Sequence, residues 1–152
     1  MNILIASDHA GVQLKALLCQ QLQPHHHIID LGPDDHQTAV DYPDYAVALA
    51  KQLQQGKAQR GILLCGSGIG MCIAANKCSG IRAGLCHDTY SAQQGVQHDN
   101  MNVLVLGARV IGPALACCIA QAFLQTQFSG EARHVRRLNK VDALESACPT
   151  EK

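Results

Sequence analysis

The sequence predicts an α/β fold: a single Rossmann-like parallel sheet of five strands in flavodoxin-like order, with helices on both faces and a C-terminal helix. Three observations predict it. Short apolar runs recur along the 152 residues. Each is followed by a stretch of roughly ten residues whose apolar side chains keep helical spacing. The third run ends in the glycine-rich turn Cys65-Gly66-Ser67-Gly68-Ile69-Gly70, in the place where parallel sheets carry ligand loops.

Ile3 to Ala6 reads as a buried strand. The turn Ser7-Asp8-His9-Ala10-Gly11 follows, then a helix carrying Val12, Leu14, Leu17, Leu18 and Leu22. His25, His26 and His27 resemble a metal cluster, but consecutive residues of an extended segment point to alternating faces, and they read as a polar loop into the strand Ile28 to Leu31. Gly32 to Tyr42 is polar and loop-like. Pro43 suits the first turn of a helix that Tyr45 to Leu53 continue until Gly56. After the strand Ile62 to Leu64 and its turn come a helix over Ile69 to Lys77, a strand over Arg82 to Leu85, a helix over Thr89 to Gln97, a strand over Val103 to Leu106 and a helix over Pro113 to Leu124. Right-handed crossovers leave few topologies. In the strand order 2-1-3-4-5, the switch point lies between the first and third strands, so the Asp8-His9 and Cys65-Gly70 loops should share one crevice. Past Gly130, Arg133-His134-Val135-Arg136-Arg137 leads into a last helix with Val141 and Leu144, and Arg133 and Arg137 share a face if that segment is helical.

Twelve basic and twelve acidic residues cancel, and 3% of residues are aromatic, so neither a basic nucleic-acid surface nor a base-stacking platform is visible. No apolar run approaches the roughly 20 residues that span a bilayer. Met1-Asn2-Ile3-Leu4-Ile5 lacks the basic region of a signal peptide, and the expectation is one cytoplasmic domain over 1–152. Eight cysteines in that compartment should be reduced. Cys19, Cys72, Cys78, Cys86, Cys117 and Cys118 fall in apolar helix or strand patterns, and Cys148 reads as inert in a tail, Ser146 to Lys152, that carries no other signal. There is no CxxC pair, and no metal site is expected.

The glycine turn is an anion site in outline: its backbone can approach a ligand closely, and the N–H groups of the following helix favour phosphate or a developing oxyanion. It lacks the Lys-Ser/Thr ending of a P-loop and the GxGxxG spacing of dinucleotide binders. That points to a phosphorylated small molecule. Cys65 enters the turn where the same field favours a thiolate. From its position alone it is equally a buried strand-end thiol. Arg133 and Arg137 suit a phosphate as a guanidinium pair, or form a solvated basic face.

Taken together, Ser7-Asp8-His9-Ala10-Gly11, Asp41-Tyr42-Pro43, Cys65-Gly66-Ser67-Gly68-Ile69-Gly70, Ala74-Ala75-Asn76-Lys77, Tyr90-Ser91-Ala92, Gln97-His98, Asn102-Val103-Leu104, Gly107-Ala108-Arg109-Val110 and Arg133-His134 resemble the ribose-5-phosphate isomerase type B family, within a wider group of galactose-6-phosphate and allose-6-phosphate isomerases. The resemblance implies interconversion of ribose 5-phosphate and ribulose 5-phosphate in the non-oxidative branch of the pentose phosphate pathway. It implies no metal or organic cofactor. It also implies a homodimer, or a tetramer of such dimers, with the active site at the subunit interface.

By the same resemblance Cys65 is the base moving the proton between C2 and C1, and His98 opens the sugar ring. Backbone N–H groups from Gly66 through Gly68, Ile69 and Gly70 hold the enediolate oxygen, while Ser67 relays protons or caps the helix. Asp8 holds sugar hydroxyls, Tyr42 packs on the open chain, and His9, Arg109, Arg133 and Arg137 take the phosphate. One departure affects the next contact: the family has Asn then Asp after the histidine, and this chain has Asp99 then Asn100. The alternatives are a hexose-6-phosphate isomerase and a non-catalytic sugar-phosphate-binding protein.

Overall fold

Three continuous apolar runs form the middle of the sheet, because only strands covered on both faces can be apolar on both. These are β1 (Asn2–Ser7), β3 (Arg60–Cys65) and β5 (Val103–Gly107), whose residues beyond Asn2 and Arg60 are buried. The computed structural model describes residues 1–147, so the reading of Cys148 and the residues after it lies outside the described residues. The remaining strands are β2 (His27–Asp30) and β4 (Ala83–Leu85). Helices follow them as α1 (Val12–Leu22), α2 (Tyr42–Gln54), α3 (Ile69–Ala75), α4 (Thr89–Asp99), α5 (Pro113–Gln125) and α6 (Ala132–Ala147). None of the described helices is long and apolar enough to cross a membrane.

All strand pairs are parallel, and the order is β2-β1-β3-β5-β4. The parallel five-stranded sheet and the switch point between β1 and β3 stand as expected from the sequence. The last two strands exchange places relative to the expected 2-1-3-4-5. β4 has three half-buried residues including Gly84, whereas β5 offers five buried ones. The longer apolar run takes the interior and the short one the edge. That edge is closed by the residue capping α3: the Asn76 amide donates to Ala83 C=O at 2.9 Å and its oxygen accepts from Ala83 N–H at 2.8 Å.

Alternating side chains along the strands feed two cores. Ile3, Ile5, Ile62, Leu64, Leu104 and Leu106 pack under α1, α4 and α5. Leu4, Leu63, Val103 and Val105 pack under α2 and α3 with Leu49 and Met71. His25 and His26 form the turn into β2 and His27 opens that strand, and among the described residues no group of three or more His, Cys, Asp or Glu side chains is arranged to hold a metal ion. Cys78 and Cys86 lie outside helices and strands, and Cys118 is exposed on α5, because the apolar pattern around it faces the core through Ala116, Ile119 and Ala120.

Candidate active site

Cys65 is the last residue of β3 and is 5% exposed. Its Sγ accepts a hydrogen bond from the Gly68 N–H at 3.0 Å. The turn closes this tightly because Gly68 adopts φ +82°, and a Cβ there would fall 2.4 Å from Leu85 Cδ1. Only glycine satisfies both conditions. Gly68, rather than Ser67, is the N-cap of α3; Ser67 Oγ accepts from Ile69 N–H at 3.3 Å and is otherwise exposed, available to a ligand. Of the turn N–H groups expected to face an oxyanion, those of Gly68 and Ile69 are therefore engaged within the turn itself.

β1 delivers Asp8 beside this strand end: Asp8 N–H donates to Leu64 C=O at 3.0 Å. The carboxylate is 8% exposed, and Oδ1 accepts from Ala10 N–H at 2.9 Å and Gly11 N–H at 3.2 Å. His9 accepts from Val40 N–H through Nδ1 at 3.3 Å, so a neutral ring carries its proton on Nε2. Tyr42, at the start of α2, brings the hydroxyl end of its ring against the turn. A Cβ on Gly70 would sit 2.7 Å from its Cζ. The loop after β5 completes the wall: Arg109 N–H donates to Gly66 C=O at 2.9 Å, and its side chain passes over Gly66, 3.5 Å from where a Cβ would be. Asp8, His9, Tyr42, Cys65 to Gly70 and Arg109 thus gather at the C-terminal ends of β1, β3 and β5.

The other expected residues lie elsewhere in the chain. His98 belongs to the last turn of α4, one residue past the helix end expected at Gln97, because α4 runs on to Asp99. The helix begins at Asp88, whose carboxylate accepts from Ser91 N–H at 2.7 Å and Ser91 Oγ at 2.8 Å. It ends at Asn100, φ +51°, a left-handed cap that asparagine tolerates well. That accounts locally for the Asp99-Asn100 order: Asp99 is the exposed final helical residue and Asn100 makes the reversal. Asn102, just beyond, accepts from Gly61 N–H at 2.9 Å at the starting end of β3. His98 and Cys65 therefore lie at opposite ends of the sheet, and a six-residue strand spans about 20 Å. Arg133 and Arg137 are on α6, four apart and exposed, with Arg133 Nε 2.9 Å from Glu131 Oε2.

One residue without an assigned role emerges beside His98. The His134 ring stacks on it with centroids 4.2 Å apart and planes 28° from parallel. His134 is 2% exposed, and Ser129 Oγ meets its Nδ1 at 2.6 Å. Burial first, then the charge of His98 and of nearby arginines, holds His134 below the ordinary histidine range, partly offset by Glu131. The signal for it was the His following Arg133; its burial was not visible from an arginine-rich segment.

A model of the Ribose/Galactose Isomerase family matches residues 3–141. A D-erythrulose-4-phosphate isomerase of Pectobacterium atrosepticum is 49% identical over 131 residues, 86% of each chain. A probable ribose-5-phosphate isomerase B of Mycoplasma pneumoniae is 45% identical over 144 residues, 94% of each chain. Among solved structures, ribose-5-phosphate isomerase B from Mycoplasma genitalium with bound ribulose-5-phosphate superposes with a TM-score of 0.91 at 38% identity, covering 97% of both chains. Sharing sequence and fold over nearly its whole described length with these proteins, the chain belongs to the ribose/galactose isomerase family.

Proposed function

We propose that the chain is an aldose-ketose isomerase interconverting D-ribose 5-phosphate and D-ribulose 5-phosphate, a step of the non-oxidative pentose phosphate pathway. The observation that carries this reading is the buried Cys65 sulfur held at 3.0 Å by the Gly68 N–H, at a switch-point turn walled by Asp8, Tyr42 and Arg109. The Cys65 thiolate takes the C2 proton of the open aldose and returns it to C1. The backbone donors of the turn other than those of Gly68 and Ile69 stabilise the enediolate oxygens in between. Ser67 carries the hydroxyl proton from O2 to O1. Asp8 Oδ2 holds a sugar hydroxyl, while His9, Arg109, Arg133 and Arg137 bind the phosphate, so that a non-reacting group fixes C1 and C2 against the base.

His98 opens the ring, and its place at the opposite end of the sheet from Cys65 supports a site completed by a second copy. The proposed assembly is a homodimer, alone or paired into a tetramer, in which the α4–α6 side of one copy faces the turn of the other. Exposed apolar side chains next to the turn support this: Ile69 and Ile73 on α3 and Val110 after β5 are all more than half exposed. Free thiols at all seven described cysteines fit a cytoplasmic setting.

The test is exchange of the C1 and C2 protons with ribose 5-phosphate in deuterated water, alongside kcat/KM for three substrates. Ribose 5-phosphate should exceed D-erythrulose 4-phosphate and D-allose 6-phosphate by at least about tenfold. The 49%-identical tetrose-phosphate relative makes D-erythrulose 4-phosphate the specific second reading. Preference for it would replace the pentose assignment, and binding without turnover would replace the enzyme.

A further inference from the structure

We propose that His134 is a positioning residue for ring opening: anchored by Ser129 and stacked on His98, it fixes the orientation in which the His98 imidazole meets the cyclic sugar. This rests on the isomerase reading above. The contacts form a closed circuit between two helices. Ser129 N–H donates to Gln97 C=O at 3.0 Å, one residue before His98. Ser129 Oγ accepts from Glu131 N–H at 3.2 Å and meets His134 Nδ1 at 2.6 Å. The His134 backbone N–H donates to Glu131 C=O at 2.8 Å, so the ring is fixed at its base as well as its edge. Its ring centroid then lies 4.2 Å from that of His98.

His98 needs such a support more than most side chains of the site do. It is half-buried in the last turn of α4, beside a shallow hollow of about 170 Å³ that it lines with Tyr90, Gln93, Gln94 and Gln97. An imidazole that takes a proton from one sugar oxygen and returns it to another must keep one nitrogen aimed through both transfers. The His134 ring covers one face of His98 and removes that freedom at one side, leaving the ring edge for substrate. A residue serving only to fill the core at this point would be aliphatic or aromatic without a polar anchor; here a half-buried hydroxyl fixes the plane of the ring.

The experiment separates two rates in the full-length protein. Ring opening is followed before steady state with ribose 5-phosphate. Exchange of the C1 proton is followed with ribulose 5-phosphate in deuterated water, because that ketose reaches the enediolate without opening a ring. His134→Ala should slow ring opening by at least about tenfold and leave C1 exchange within about twofold. Ser129→Ala, which keeps the ring and removes its anchor, should shift the same ratio in the same direction by about threefold or more. If His134→Ala does not fold, Ser129→Ala alone decides. Equal loss of both rates, or loss of neither, overturns the proposal. Absence of C1 exchange in the unsubstituted protein overturns the isomerase reading first, and this inference with it.

Discussion

The Gly68 N–H donates to the Cys65 sulfur at 3.0 Å, joining the end of β3 to the cap of α3 through a single hydrogen bond. The bond gives the sulfur a fixed acceptor geometry above the turn, which is what a base removing a carbon-bound proton requires. Cys65→Ala should lower kcat by about 10²- to 10⁴-fold, the usual contribution of a positioned base. Cys65→Ser should fall in the same range, because a hydroxyl accepts the same N–H but is scarcely ionised near neutrality. Both variants should still bind ribulose 5-phosphate by calorimetry, since they leave the arginines proposed to bind the phosphate unchanged. Full activity in Cys65→Ala would remove the sulfur from the chemistry.

Tyr42 occupies the space that a side chain at position 70 would need, its Cζ lying 2.7 Å from the hypothetical Cβ. Gly70→Ala must therefore push the ring away or shift the turn. A tenth or less of wild-type kcat/KM is expected for it, about 1.4 kcal/mol or more of lost transition-state stabilisation. In a Tyr42→Ala background the extra methyl meets no ring, so adding Gly70→Ala should cost less than about 0.5 kcal/mol further. Additive losses in the double-mutant cycle would show that the alanine acts through the turn backbone instead.

Acid should destabilise the fold in two separate windows. His134 holds its proton less readily in the folded chain than in the unfolded one, and His26 is shifted the same way by burial. The unfolded chain then binds more protons as the pH drops through the ordinary histidine value of 6.5, so stability present above that value declines until the folded-state value is passed. Glu145 is shifted down by its bonds from Ser79 and Gly80, so the stability it adds is present above the ordinary value of 4.5 and is lost as pH falls through its lower folded value. Scanning calorimetry between about pH 7.5 and 5.5 should show a falling Tm. His134→Phe should flatten that slope without abolishing it, because His26 remains. An unchanged slope would mean that His134 is not the group being titrated.

Much of this architecture was legible because the periods of the side chains are themselves the cause of the fold. β1, β3 and β5 announced themselves as unbroken apolar runs, and Gly68 and Gly70 marked a turn that needs positive φ and room for a tyrosine. The placement of β4 at the edge was not legible, since three residues with a central glycine give no measure of which neighbour they will pair with. Lys15 escaped notice for a related reason. It reads as a polar position on α1, yet it is 2% exposed and paired with Asp30 and Asp34, partners that lie beyond the helix in the sequence. His98 fell just outside the helix expected over Thr89 to Gln97 because Asp99 and Asn100 end no apolar pattern, while the helix is in fact closed by the left-handed Asn100.

The separation of His98 from Cys65 has the sharpest consequence. If each site takes Cys65 from one copy and His98 from the other, two inactive variants can repair each other. In a mixed dimer of Cys65→Ala and His98→Asn, one site combines both lesions and the other combines both intact residues. Random mixing puts half of the dimers in the mixed state, each with one working site of two, so unfolding and refolding an equimolar mixture should recover about one quarter of wild-type activity. Each variant refolded alone should stay near its own residual rate. A mixture that remains as inactive as its components would place both residues in one chain's site, and would require a rearrangement carrying His98 the length of β3.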